Sequence, residues 1–414
     1  MDKSATRAPA AIKFSRYEKT VIGILAFLQF TVILDFMIIS PLGAIVMPSL
    51  QISPQQFGLA VSSYAFSAGV SGFLAAGFAD RFDRKRLLLF FYFGFMLGTL
   101  LCALATTYPF LLIARIVTGL FGGVIGSVVF AITTDLFPLE MRGRVMGVLS
   151  TAFAASQVFG LPAGLYLTSH WDWHAPFLAI IAVGVPAGVM IMLFMQPVVA
   201  HIALQQEHSA LRHLINTITE PRYLLAFLLV MLLPTGGYML MPFGTAYIVN
   251  NVGLTFTMLP LIYLVTGIST VFVGPLVGKA SDSFGKFPMF CIGTIVTIIM
   301  VPIWTNIGHV PLAAVIVLNV ILFAGIFSRM IPSQALISAI PETAKRGAFN
   351  AVSASLQQFA GGVSAAVAGA LIVQRPDGSL AHFDWVGYVV VTISLVALIL
   401  MYRVHKQVPE TRPK

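Results

Sequence analysis

Twelve long apolar runs, separated by short polar hinges, make up most of the chain. They predict membrane-spanning helices over 19–47, 54–79, 86–106, 109–135, 143–168, 173–195, 221–250, 256–280, 287–307, 310–338, 347–374 and 383–404. Each exceeds the roughly 20 residues an α-helix needs to cross a bilayer, where the backbone must satisfy its own hydrogen bonds. The hinges repeat. Gly77-Phe-Ala-Asp-Arg-Phe-Asp-Arg-Lys-Arg86, after span two, has a weaker copy in Gly278-Lys-Ala-Ser-Asp-Ser-Phe-Gly-Lys286, after span eight. Asp80 falls over Asp282, Phe82 over Phe284 and Arg84 over Lys286. Pro138-Leu-Glu-Met-Arg-Gly143, after span four, likewise matches Pro341-Glu-Thr-Ala-Lys-Arg-Gly347, after span ten. Paired hinges imply two parallel six-helix repeats. The chain then divides into bundles 1–195 and 221–414, joined by a linker 196–220. In that linker Leu204, Leu211, Ile215 and Ile218 recur at helical spacing, as in an amphipathic helix on the inner leaflet.

Composition sharpens this picture. Hydrophobic residues make up 58% and charged residues 9% of the chain, with a mean hydropathy of +0.93. A soluble domain carries roughly 25% charged residues. The fold class is all-α integral membrane, twelve helices in two pseudo-symmetric six-helix bundles. The net charge of +9 would suit a nucleic-acid partner, but its placement points elsewhere. Of the 24 Lys and Arg, all but Arg115, Arg329 and Arg375 fall at the termini or in even-numbered loops. By the positive-inside rule both termini and the even-numbered loops are cytoplasmic, and the expected location is the cell inner (plasma) membrane. The basic start runs into the first span without a small-residue cleavage site, so no cleavable signal is expected. Cys102 and Cys291 fall in different halves and read as small buried hydrophobes.

The candidate chemistry lies inside the spans. Asp35 sits about midway along span one, and a carboxylate there must be paired, hydrated or protonated. It reads either as a structural hydrogen-bond partner or as a proton-binding site, with Gln29 on the same face. Arg115, inside span four, needs a carboxylate, water or an anionic ligand. Asp35 is the acid at comparable depth, so the two are expected to communicate. Gly119 and Gly123 form a small-xxx-small pair that lets helices approach closely. Gly160, Pro162 and Gly164 mark a packing and bending point in span five. Span seven offers Tyr238 and Met241, span ten Asn319, Phe323 and Arg329, and span eleven Gln357 and Gln358. Aromatic and methionine side chains read first as packing, but they also suit adaptable apolar binding. The polar members are the stronger cavity candidates, because amides and guanidinium groups facing lipid are costly. His201, His208 and His213 lack the spacing and acidic partners of a metal site. Buried Ser, His and Cys form no catalytic constellation, and no channel filter motif is present. Neither enzyme nor cofactor is expected.

These residues resemble the major facilitator superfamily along the whole chain. Residues 77–86 are similar to its signature between spans two and three, Gly-x-x-x-Asp-Arg-x-Gly-Arg-Lys/Arg. Asp83 stands at the glycine, where its tolerance of left-handed backbone is expected to preserve the turn. Leu112-Ile-Ala-Arg-Ile-Val-Thr-Gly-Leu-Phe-Gly122 resembles the span-four motif whose arginine is linked to proton coupling in antiporters. Gly160-Leu-Pro-Ala-Gly164 resembles a reduced span-five antiporter motif, and Trp173-His-Ala-Pro-Phe177 resembles Trp-Arg-x-x-Phe with His174 in place of arginine. The resemblance implies alternating access and points to the drug:proton antiporter branch. It also implies a cytoplasmic latch of Gly77, Asp80, Arg81 and Arg84, with Asp282 as its counterpart and Asp80 near the start of span eleven. The expected function is proton-coupled efflux of an amphiphilic small molecule by a monomer, with Asp35 and Arg115 coupling the proton. The alternative is a proton symporter importing an organic anion or sugar, with Arg115 and Arg329 as anion contacts.

Overall fold

The structure, a computed structural model, describes residues 14–199, 202, 216–342 and 345–407. The side chains of Ala76, Asp80 and Leu139 lie outside the described set, as does most of the linker with its three histidines. Twelve helical passes are present among the described residues. Eleven are long and apolar enough to cross a membrane. The remaining pass, span eleven (Arg346–Leu371), is as long but richer in Ser, Gln and Gly.

Several spans begin where local chemistry favours it. Ser15 and Glu18 form a reciprocal capping box on span one, and Ser53 and Gln56 form another on span two (Pro54–Phe78). Each box satisfies backbone N–H groups that a first turn leaves open. Three spans are interrupted: span five at its expected bending point, span one where no break is expected, and span seven at Pro234 rather than at Gly236-Gly237 and Pro242, which lie inside a helix. Span one runs Arg16–Ile38, tightens through a 3-10 turn at Ser40–Leu42 around Pro41, and resumes as Gly43–Leu50. Span five is Leu139–Ala155 and Leu161–His170, joined by a π-helical turn at Ser156–Gly160. Span seven is Pro221–Leu232 and Thr235–Tyr247, interrupted at Pro234, and closes with another π turn at Ile248–Val252. Proline removes a backbone donor and crowds the preceding turn, which accounts for the breaks beside Pro41 and Pro234. Span eleven ends at Leu371, short of the expected 374, and Val373–Gln374 pairs antiparallel with Leu380–Ala381 in a small hairpin. Asn251 clamps that hairpin by exchanging hydrogen bonds with the Leu380 backbone at 2.9 and 3.0 Å.

The two described ends of the chain lie at one face. Phe14 meets Phe137, at the end of span four, with ring centroids 6.2 Å apart. His405 stacks on Phe287, at the start of span nine (Lys286–Thr305), at 5.2 Å. We call this the basic end. Spans two and eleven form a seam between the halves, where the Ser62 hydroxyl donates to the Gly362 carbonyl at 2.8 Å. Other contacts between the halves gather toward the opposite end. The 40–50 stretch of span one packs on span seven, and Leu161–His170 packs on span eight (Leu259–Phe284). Large apolar side chains such as Phe90, Phe272 and Leu193 are exposed around the outside. An apolar exterior suits a lipid solvent.

Candidate functional site: a sealed ion pair beside a cavity

The Asp35 and Arg115 side chains have no solvent exposure, and they meet. The Arg115 Nη1 donates to Asp35 Oδ2 at 3.2 Å, and the Thr99 hydroxyl of span three (Arg84–Ala103) donates to Oδ1 at 2.9 Å. The guanidinium also lies over the Tyr64 ring, 4.6 Å from its centroid. Its Nε and Nη2 are buried without a hydrogen-bond partner. Spans one, two, three and four (Tyr108–Leu136) thus converge on one charge pair. Close approach of spans two and four makes this possible. A Cβ on Gly119 would collide with the Tyr64 carbonyl and the Ser67 hydroxyl, and one on Gly123 with the Ala68 backbone. In span five a Cβ on Gly160 would press on Leu34, and one on Gly164 on Ile38. Pro162 opens the segment after the π turn.

A cavity of about 300 Å³ lies between the halves. Tyr238, Met241, Asn319, Phe323, Arg329 and Gln357 line it. Gln358 stays off the wall and accepts a hydrogen bond from the Tyr238 hydroxyl at 2.8 Å. Gln29 is half-buried on span one, away from the cavity. The first half supplies Phe36, Met37, Ser40, Val61, Phe153 and Gln157. Arg329 lies on the wall, whereas Arg115 does not. The two arginines therefore do not share one cavity here.

An aromatic chain links ion pair and cavity. Phe36, next to Asp35 in sequence, lies 5.2 Å from the Tyr64 ring and 5.9 Å from that of Tyr238. Sequence reasoning missed Phe36, Gln157 and Thr99. Gln157 had a readable signal, an amide inside an apolar span beside a Gly-Leu-Pro bend. Thr99 had none, since a hydroxyl can satisfy itself within its own helix.

At the basic end Asp83 has φ −56°, so the left-handed turn expected of it is absent. Its carboxylate instead caps span three by accepting from the Lys85 N–H, and it also accepts from Val198 N at 2.9 Å. Arg84 pairs with Asp135 at 3.0 Å. Gly77 lies near the end of span two, Arg81 is exposed, and Asp282 is exposed near the end of span eight. The Asp80 side chain lies outside the described residues, and so does the contact expected of it.

Comparison with known proteins agrees with this architecture. The chain is 26% identical over 264 residues to the uncharacterized MFS-type transporter YceJ of Bacillus subtilis, covering 63% of this chain and 66% of that protein. It is 32% identical over 139 residues to Multidrug resistance protein 3 of the same organism, covering 34% of this chain and 26% of that one. These matches span two thirds or less of the relatives' own length. A solved bacterial homolog of the human lysosomal transporter Spinster, inward-facing and occupied, superposes with a TM-score of 0.77 at 15% identity. The superposition covers 96% of this chain and 100% of that one, and it speaks for the fold. The Major Facilitator Superfamily model matches residues 25–365 and again 226–414, so the chain belongs to the major facilitator superfamily.

Proposed function

We propose that this transporter exports an amphiphilic small molecule in exchange for protons. The observation that carries the reading is the sealed Asp35–Arg115 pair one aromatic contact away from the cavity. A proton arriving on Asp35 cancels its attraction for Arg115 and frees the Tyr64–Phe36 contact to rearrange. Because Phe36 also touches Tyr238, that change reaches the cavity wall. The basic end faces the cytoplasm in this reading, and the gathering of contacts at the opposite end suits an inward-facing state. One proton moving inward across 100 mV supplies roughly 2.3 kcal/mol, which biases a two-state equilibrium about fiftyfold. The multidrug-named relative favours export. The protein works as a monomer in the inner membrane, with the proton as its coupling ion and no other cofactor.

A second reading, proton-coupled uptake of an organic anion or sugar, draws on Arg329 alone, since Arg115 is sealed from the cavity. Proton release from purified protein on adding candidate amphiphiles, wild type against Asp35→Asn, separates the two. Release from wild type and none from the variant supports antiport. Proton uptake on binding supports symport, and equal responses from both proteins would remove Asp35 from the coupling step.

A further inference from the structure

We propose that Arg329 is the headgroup subsite for an amphiphilic organic anion, and that anions of this class are the transporter's substrates. The proposal deepens the efflux reading and rests on it for the direction of transport, but the subsite can be tested by binding alone. Arg329 is 7% exposed and lies on the cavity wall. Its Nη1 donates to the Ser394 hydroxyl at 3.0 Å, and its buried Nε has no partner. Among the described residues it forms no ion pair. The guanidinium carbon lies over the Phe290 ring, 5.7 Å from its centroid.

A guanidinium is always charged and offers five donors in a planar fork that matches a carboxylate or phosphate. One neutral hydroxyl answers one of those donors. Burying such a charge without a counter-ion is costly, and ionisable side chains within membrane spans are found paired or facing a substrate pathway. The first half shows the internal solution, a carboxylate in contact. The second half lacks it, and its arginine sits on a cavity wall where a ligand can supply the missing charge.

The remaining wall sets the rest of the ligand. Phe36, Phe153, Trp304, Phe323 and Phe327 provide apolar faces, and Asn319 and Gln357 provide neutral hydrogen bonds. One cation among apolar walls selects one negative charge on a compact apolar body. A cavity of about 300 Å³ is at the small end of ligand sites. An aromatic carboxylate and a single-chain anionic lipid share this chemistry.

The test measures binding of 1-naphthoate and of its uncharged counterpart 1-naphthamide to the purified full-length protein. Calorimetry supplies the affinities, and quenching of the tryptophan fluorescence that is lost in Trp304→Phe supplies a second readout, since Trp304 alone of the four tryptophans lines the cavity. The expected result is naphthoate binding at least tenfold tighter than naphthamide, with Arg329→Gln removing that preference and leaving naphthamide unchanged. Arg329→Lys, which keeps the charge but not the fork, should retain part of it. Equal binding of acid and amide by wild type, or an intact preference in folded Arg329→Gln, would overturn the subsite. Displacement of naphthoate by dodecyl phosphate would assign the site to single-chain lipids, and failure to displace it to free acids. Anion binding without proton release would keep the subsite and sink only the antiport reading.

Discussion

The two halves share a fold and solve the same electrostatic problem differently. Each buries an arginine within the bundle. In the first half Arg115 meets Asp35 at 3.2 Å, both fully sealed and both tied into neighbouring helices. In the second half Arg329 has a serine hydroxyl, the face of Phe290 and an open cavity. The hinges repeat because they build the scaffold. The charges do not repeat: one half answers its arginine with a carboxylate in contact, and the other leaves its arginine on a cavity wall. Asymmetry inside a symmetric scaffold is where function is to be sought.

The largest expected effect tests the paired side. Arg115→Gln leaves Asp35 without its cation and is expected to cost about 3–5 kcal/mol, read as a lower thermal midpoint in detergent. Asp35→Asn combined with Arg115→Gln should recover much of that loss, because neither charge then stands alone. A double variant as unstable as the sum of the singles would mean the two residues act independently. Arg329→Met should do the reverse. With no carboxylate to orphan, removing this charge is expected to stabilise the ligand-free protein by about 1–4 kcal/mol. If Arg329→Met instead falls by as much as Arg115→Gln, the contrast between the halves is wrong.

Much of the scaffold was legible in the sequence, and the reason is physical. A bilayer demands runs of apolar residues with internally bonded backbone, so hydropathy alone places all the spans but the eleventh. A buried carboxylate and a buried arginine at like depth leave few ways to be stable, which brings Asp35 and Arg115 together on paper. Less legible were the points where tertiary packing decides. The π turn at Ser156–Gly160 leaves no hydropathy trace, because Val158 and Phe159 are as apolar as any helical pair. Gln358 looked equivalent to Gln357, yet one turns to the Tyr238 hydroxyl and the other lines the cavity. Neighbouring amides on a helix lie about 100° apart, and only the partner helices decide which one faces the cavity.

A smaller effect tests the scaffold beneath the ion pair. Gly123→Leu forces a side chain into the Ala68 backbone and is expected to cost about 1–3 kcal/mol. Gly126→Leu, about one turn on, where an added side chain meets nothing within 4 Å, should fall within about 0.5 kcal/mol of wild type. Matching thermal midpoints for the two variants would remove close packing of spans two and four as the support for Arg115.

The smallest effect lies at the basic end, where Asp83 stands in place of the superfamily's glycine. Its φ of −56° makes no demand for glycine, so restoring glycine relieves nothing. What glycine removes is the carboxylate that accepts from both Lys85 N and Val198 N. Loss of an Asp cap to glycine costs a few tenths of a kcal/mol, and the bond to Val198 adds about 0.5–1 kcal/mol, so Asp83→Gly should cost about 0.5–1.5 kcal/mol. The two terms separate by position. The cap belongs to span three, whereas the Val198 bond holds the chain just after span six, so faster proteolysis beyond Met195 should accompany the small thermal loss. Asp83→Asn keeps an oxygen acceptor and should restore protection there. A thermal loss without any change in cleavage would assign the carboxylate to the helix cap alone.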